Sequence, residues 1–504
     1  MLAKAYSNAV TGINGYLVEV EIDLSQGLPA FNIVGLPDTA VREAKERVKA
    51  AVKNSGFQFP IKRITVNLAP ADIKKKGPTF DLPIAVGILT AVGIIEEQSL
   101  RSYTVVGELS LDGTVKKISG TLSMALATKK AGKKGIIVPQ ANAKEASVVE
   151  ELDVIAVQNL SDVIDFFNQD YSSIDVAVPS YQLTPNYELD YCDVKGQDCA
   201  KRALEVAAAG RHNLVMVGPP GAGKTMLAKR LPTILPPLTK KEAIEVTKIF
   251  SIIDKLPPGQ SLINTRPFRS PHHTISKAGL IGGGRIPQPG EISLAHRGVL
   301  FLDELTEFKR EVLEILRQPL EERKITLTRS AVTLTYPSQF LLVAALNPCP
   351  CGYYGVEGKE CTCSDYQRKR YLSKISGPIL DRIDIHLEVP RLNASELTTQ
   401  QRGRTSAEMK QRIIAARKIQ LQRFNELNIN YNAEMKSSTL EKYCVLDTAA
   451  KMMIKQAISR LQLSARAYDR ILKLSRTIAD LDQSEVITTD HLGEAIQYRS
   501  LDRR

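Results

Sequence analysis

Residues 218–225 read GPPGAGKT, and no other stretch of the chain restricts its possible folds so tightly. The octapeptide fits the pattern G-x-x-x-x-G-K-[ST]. The apolar run Leu214-Val215-Met216-Val217 precedes it, and the helix-compatible MLAKRL follows. Strand, glycine-rich loop and helix in that order make a P-loop. Gly218, Gly221 and Gly223 put no side chain between backbone N–H groups and an incoming phosphate, at a helix N-terminus that favours anions. Pro219, Pro220 and Ala222 complete the cradle. Lys224 is placed for the β- and γ-phosphates of ATP, and the Thr225 hydroxyl for Mg²⁺. The plain alternative is a Gly/Pro turn beside a surface lysine, which the flanking strand and helix patterns disfavour.

Residues 299–304 read VLFLDE and separate nucleotide binding from hydrolysis. Val299 to Leu302 has the apolar character of a buried parallel strand. Asp303 at its end is placed to hold Mg²⁺ through its water shell, and Glu304 to polarise an attacking water. Alone, an Asp-Glu pair after a strand is unremarkable in function. Paired with the P-loop, it predicts ATP hydrolysis.

Composition sets the outer bounds. The chain has 504 residues, enough for two to four domains, with ordinary hydrophobic and charged fractions for a folded protein. Its net charge of +12 permits an anionic partner without proving one. The longest apolar run, Leu82 to Ile95, contains Pro83 and is too short for a membrane span, so a core helix is expected and no membrane partner. Met1 to Asp23 lacks the order of a signal peptide, which predicts a cytoplasmic protein with reduced cysteines.

Residues 1–170 alternate β-rich runs with helical stretches such as Thr39 to Asn54 and Thr121 to Lys130, a pattern of a compact α+β domain. Residues 171–190 are polar, carry Pro179 and Pro185, and read as a linker. The ATPase block is expected at 191–392, where strands before Gly218, Asp303 and Asn347 suit a parallel sheet. Residues 393–504 are mostly helical. The fold class is therefore α/β, with a P-loop parallel-sheet core between an α+β domain and a helical domain.

Two insertions interrupt the ATPase pattern. Phe268 to Ile292 is Gly-rich and basic, includes Arg269, His272, His273, Lys277 and Arg285, and is expected to project as a loop or short hairpin. Its two histidines have no further ligands at metal-site spacing, leaving a structural role or a contact to substrate or a neighbouring subunit. Lys324 to Pro337 alternates Ile325, Leu327, Val332 and Leu334 around Arg329-Ser330-Ala331, which fits a hairpin with a basic tip. Such a hairpin is either a solvated edge or a finger that touches phosphates. On that second reading His272, His273, Lys277, Lys324 and Arg329 are DNA-binding candidates.

Cys349, Cys351, Cys361 and Cys363 place four thiols within 349–363. Four soft ligands suit tetrahedral Zn²⁺, although each pair has one intervening residue where zinc knuckles usually have two or more. Reduced packing cysteines and redox chemistry remain alternatives. Cys192, Cys199 and Cys444 stand apart.

The stretches GLPDTAVREAKERVKAA, FRSPHHTIS, PGEISLAHRGVLFLDEL, NPCPCG, GPILDRIDIHLEVP and LSARAYDRILKLSRTIADL together resemble the ComM/YifB type of magnesium-chelatase-like AAA+ ATPase, over nearly the whole chain. The resemblance implies a homo-oligomeric ring, expected to be hexameric, with ATP between subunits and DNA in its pore. It implies a helicase that extends branch migration of incoming DNA during natural transformation. Asn347, ending the strand LLVAALN, then corresponds to the sensor-1 residue that orients the lytic water. Arg382 corresponds to the arginine finger supplied to the next subunit. Arg466 corresponds to the sensor-2 arginine of a C-terminal helical lid, with Arg470 one turn on as its alternative.

The N-terminal block resembles the proteolytic domain of Lon-type proteases, which uses a Ser-Lys pair. Thr79 stands where the serine is expected and Leu122 where the lysine is, so a non-proteolytic domain is expected. Lys74-Lys75-Lys76 is a candidate phosphate contact or a solvated charge run. No base-reading motif is present, so DNA binding is expected to be sequence-independent, on single-stranded or branched DNA. The rival readings are a chelatase-type motor acting on a protein or porphyrin partner, an unfoldase-protease, and a non-motor scaffold. Stimulation of hydrolysis by DNA, by chelatase partners, or casein cleavage separates them.

Overall fold

The computed structural model describes residues 1–504 except 76, 169–186, 258, 285–286, 330–331, 357, 394–395, 397–402, 428, 500–504 and the side chain of Val332. Most of the expected linker, Arg285, Lys76 and the Ser330-Ala331 tip therefore lie outside the described residues. The chain divides into two compact units. One is Met1–Gln182 with Lys240–Ile263, and the other is Leu183–Thr239 with Asn264–Arg504.

The first unit is built on a four-stranded sheet in the order Leu2–Thr11, Asn14–Ser25, Arg63–Ala69, Ala30–Val34. Strict alternation creates its two faces. Val18, Val20, Ile22 and Leu24 are buried, while Glu19 and Glu21 on the other face pair with Lys4 at 2.5 and 3.0 Å. Two helices cover the apolar face. Thr39–Asn54 starts where Asp38 Oδ1 accepts from Val41 N at 2.9 Å, and Asp81–Ala91 is buried along its whole length. The second helix is the apolar run that the sequence assigns to the core. A parallel three-stranded sheet, Tyr103–Val105, Gly135–Pro139 and Asp153–Val157, completes this unit.

Residues 240–263 lie in sequence inside the ATPase block but belong spatially to the first unit. Helix Lys240–Ser251 delivers Ser251, whose hydroxyl donates to the buried Glu145 carboxylate at 2.5 Å and whose carbonyl accepts from Gly120 N at 3.2 Å. Ile244 and Leu262 pack against the cluster that holds Leu122 and Ala125. Apolar packing, the buried Ser251–Glu145 hydrogen bond and the Gly120–Ser251 backbone bond hold this excursion in place.

The second unit carries a five-stranded, all-parallel sheet. Its order is Phe268–Arg269, Val299–Leu302, Leu341–Leu346, Leu214–Val217, Ile385–Glu388. The three central strands are wholly buried, as parallel strands covered on both faces must be. Phe268–Arg269, expected to open a projecting loop, instead forms the edge strand. Among its described residues the insertion also holds helix Lys277–Ile281, a short hairpin pairing Gly282–Gly283 with Gln288–Pro289, and the start of helix Glu291–Leu294. The C-terminal helices Ser406–Arg423, Thr448–Leu461, Ala465–Leu481 and Thr489–Gln497 share one apolar cluster with the sheet through Ile413, Ile454, Leu474 and Leu492.

Asp480 ties these helices together. Its carboxylate accepts from Arg423 at 2.5 and 2.8 Å, from Arg476 Nε at 3.0 Å and from Asn432 Nδ2 at 2.8 Å. Asp480→Ala would leave the buried Arg476 without its counter-charge, an expected loss of about 3–5 kcal/mol read by urea denaturation of the full chain.

His386, in the edge strand Ile385–Glu388, gives a pH dependence. Burial, with the charges of Arg499 and Arg470, pushes its imidazole down to about 3. Because the folded value is the depressed one, this contribution is complete above the unfolded value of about 6.5 and is lost progressively as pH falls from there to the folded value of about 3. Going from pH 7 to pH 5 is expected to cost roughly 2 kcal/mol from this residue. In His386→Phe that part of the urea-midpoint shift should vanish.

Candidate functional site

The nucleotide loop leaves the strand Leu214–Val217, whose neighbours on either side are parallel to it. Gly218 N donates to Leu346 O at 3.2 Å, so the loop and the end of the strand Leu341–Leu346 emerge together. Gly218 must be glycine, since a Cβ there would stand 2.2 Å from Val389 O. Gly221 and Gly223 hold φ of 78° and 88°, and Gly223 precedes helix Lys224–Ile234 without any side-chain cap. Its first N–H groups thus keep their donors for an anion.

Lys224 is buried, and its ammonium donates to Gly218 O at 2.5 Å, Pro219 O at 3.0 Å and Asn347 Oδ1 at 3.2 Å. Burial pushes its pKa down, against the opposing pull of Asp303 and Glu304. A desolvated cation held only by neutral oxygens has most to gain from phosphate. Thr225 Oγ1 donates to Asp303 Oδ2 at 2.6 Å, so the two residues expected at Mg²⁺ already meet. Thr225 and Asp303 would hold the ion, and Lys224 and the loop N–H groups the phosphates of ATP. When bound, Mg²⁺ supplies charge neutralisation to the phosphates.

Glu304 follows with φ of 50°, a left-handed backbone that non-glycine residues rarely adopt. Its carboxylate is exposed and lies 3.5 Å from His273 Nδ1. His273 stacks on His272, ring centroids 4.1 Å apart. One of the two inserted histidines therefore reaches the expected catalytic carboxylate directly, a contact that nothing in the local sequence signals.

The remaining expected residues are more dispersed. Arg382 donates to Glu321 and to Pro378 O, and its side chain is mostly covered. Arg466 is three-quarters exposed and pairs with Asp381 at 3.1 Å. Arg470 is mostly buried and donates to Ile383 O at 2.8 Å. Of the two arginines, Arg466 is by far the more exposed. Lys277 pairs with Glu311 at 2.8 Å.

Lys324–Arg329 and Val332–Pro337 form the expected antiparallel hairpin, with Ile325 and Leu327 buried and Lys324 and Arg329 exposed. It lies against the smaller inserted hairpin. Tyr336 Oη donates to Pro287 O at 2.8 Å, and Arg329 Nη2 comes 3.6 Å from where a Cβ on Gly283 would be.

Two side chains absent from the sequence reading shape the loop. Gln197 Nε2 donates to Pro390 O at 2.8 Å and to Ala222 O at 3.4 Å, and Arg391 donates to Pro220 O at 3.1 Å. Both contacts join residues far apart in sequence, and single polar residues outside a motif carry no local mark.

The four clustered cysteines converge. Their sulfurs all lie within 4.8 Å of one another, with Cys349–Cys351, Cys351–Cys361 and Cys349–Cys361 separations of 3.3, 3.6 and 3.7 Å. A tetrahedral ion with sulfurs at about 2.3 Å has edges of about 3.8 Å, so the cluster could hold one. In the first unit, Leu122 is fully buried, Lys117 pairs with Asp254 at 2.5 Å, and Lys75 is buried with its ammonium on Pro70 O. Lys75 is therefore no surface phosphate contact, and Leu122, which stands in sequence where the lysine of a Ser-Lys pair is expected, is a buried apolar side chain.

A parallel sheet with the P-loop strand between the Asn347 strand and Ile385–Glu388, a Thr225–Asp303 pair and a carboxylate at 304 defines a magnesium-chelatase-like AAA+ ATPase. The family profiles agree: magnesium chelatase subunit ChlI matches residues 190–397, its C-terminal part 403–499, and subunit ChlI of Mg-chelatase 20–142. Competence protein ComM of Haemophilus influenzae is 44% identical across all of this chain and 98% of its own length. The YifB protein of Escherichia coli is 43% identical over the same extent. The chain belongs to the ComM/YifB family. Lon protease 2 of Bacillus subtilis is 28% identical over a stretch covering 31% of this chain, in keeping with a Lon-like N-terminal region. Among the described residues, no helix is long and apolar enough to cross a membrane.

Glu304→Gln should bind ATP with unchanged affinity while phosphate release falls at least about 100-fold. Lys224→Ala should lose binding as well, which a fluorescent ATP analogue reads directly.

Proposed function

We propose that this chain is the subunit of an ATP-driven ring, hexameric in its working form, that translocates on DNA and promotes branch migration of incoming DNA during recombination. The observation that carries the reading is the pairing of two inserted hairpins with Arg329 on their shared side, in the same unit as the ATP site. His273 links that insertion to Glu304, so strain on the hairpins reaches the residue that would activate water. The full-length likeness to a protein named for competence supports DNA as the substrate.

In this reading Asn347, already hydrogen-bonded to Lys224, orients the lytic water and Glu304 accepts its proton. Arg382 leaves its Glu321 pairing to meet the γ-phosphate of the neighbouring subunit, where such a charge is worth about 10³–10⁵ in rate. Arg466 reports nucleotide to the C-terminal helices. His272, Lys277, Lys324 and Arg329 offer donors to the sugar-phosphate backbone, so binding does not depend on base sequence. Zn²⁺ at Cys349, Cys351, Cys361 and Cys363 serves as a structural ion. The chelatase-type motor remains the second reading, favoured by the family profiles over all three segments.

Phosphate contacts release counterions, so affinity for single-stranded or forked DNA should fall steeply with salt. Lys324→Glu with Arg329→Glu should flatten the salt slope by about 1–2 and reduce the ratio of DNA-stimulated to basal hydrolysis. Binding that ignores both salt and these substitutions would reject the hairpins as the DNA contact.

A further inference from the structure

The strand Leu341–Leu346 ends in Asn347-Pro348-Cys349-Pro350-Cys351-Gly352, so the water-orienting residue and the first two thiols share one short turn. Among the described residues, 350–364 contains neither helix nor strand. Its shape must therefore come from side chains. Cys349 Sγ accepts from Tyr354 N at 3.4 Å, and Cys363 Sγ from Cys351 N at 3.4 Å. Arg368 donates to Cys363 O at 2.7 Å and lies 4.2 Å over the Tyr354 ring.

One side of this knot is a wall of the nucleotide loop. Gly352 has φ of 82°, and a Cβ on it would stand 2.7 Å from Pro220 Cδ and 3.0 Å from Cγ. Arg391 grips Pro220 O from another direction and lies 5.7 Å from the Tyr353 ring. The knot thus touches the P-loop at Pro220 and, through the chain itself, fixes the approach of Asn347 to Lys224.

We propose that a tetrahedral thiolate-bound Zn²⁺ at Cys349, Cys351, Cys361 and Cys363 is a positioning element of the ATP site, so that nucleotide affinity and turnover depend on zinc. The inference rests on the zinc reading of the four thiols and goes beyond it, from a structural ion to one that sets the nucleotide site. The ion cross-links two chain segments that have no backbone ladder between them. Its binding energy is ordering energy for the turn that carries Asn347 and for the surface against Pro220. Without it, Asn347 and the Pro219-Pro220 turn lose their common support.

The test uses the full-length protein. Its zinc content is measured, and Co²⁺ exchange is followed by the visible spectrum of tetrahedral thiolate coordination. Nucleotide affinity and ATP hydrolysis are then compared before chelator treatment, after it, and after Zn²⁺ is restored. We expect one zinc per chain, at least about a tenfold fall in ATP affinity or turnover on stripping, and recovery with Zn²⁺ but not with added Mg²⁺. Cys361→Ser with Cys363→Ser, which removes the two thiols farther along the chain from Asn347, should mimic the stripped protein. Gly352→Ala guards against a mere folding defect. It keeps all four thiols and should keep its zinc, yet its methyl group meets Pro220 and should weaken nucleotide binding.

Zinc that is bound but whose removal leaves affinity and turnover unchanged, with Gly352→Ala equal to wild type, would overturn the coupling and leave the metal site standing. No zinc and no cobalt-thiolate spectrum would overturn the metal site itself.

Discussion

Parallel pairing of Leu214–Val217 with Leu341–Leu346 is the constraint on which the ATPase unit depends. The register sets Val217 opposite Leu346, so the chain turns into the nucleotide loop on one strand just where Asn347 begins on the other. The strand Val299–Leu302 pairs on the far side of Leu341–Leu346 and delivers Asp303 and Glu304 to the same end. The nucleotide loop, Asp303, Glu304 and Asn347 are thus brought to one end of the sheet by hydrogen bonds between apolar strands. A one-residue slip in either pairing would turn each of these groups to the wrong face.

Much of this was legible because the chemistry and the fold share short, contiguous signals. A glycine-rich loop after an apolar strand and an Asp-Glu pair after another fix both identity and position. The hairpin Lys324–Pro337 was equally readable, because period-two burial of Ile325 and Leu327 is a local property. Phe268–Arg269 was not. Two residues are too few to show a period, and only pairing with Val299–Leu300 makes them a strand. The transfer of residues 240–263 to the first unit was also invisible, since it depends on Glu145 and on apolar partners a hundred residues away. Lys75 shows the same limit: a run of lysines reads as surface, and one member is buried where its backbone pairs with Leu36 and Asp38 and its ammonium turns back to Pro70 O.

The site itself divides along the same line. Lys224, Thr225, Asp303 and Asn347 meet within the chain, as their motifs imply. Arg382 and Arg466 instead hold Glu321 and Asp381, acidic partners within their own chain. Both acidic partners are exposed to solvent, and in the proposed ring the two arginines exchange them for phosphate. The His273–Glu304 contact joins the inserted segment to the carboxylate that follows the strand Val299–Leu302 through one imidazole.

The most direct test of the account is ATP hydrolysis by the wild-type chain alone, with single-stranded DNA and with forked DNA, in matched salt. A motor of the proposed kind hydrolyses ATP faster with either DNA, and the stimulation fades as salt rises. Hydrolysis indifferent to every DNA would contradict the translocase reading and turn attention to protein and porphyrin partners.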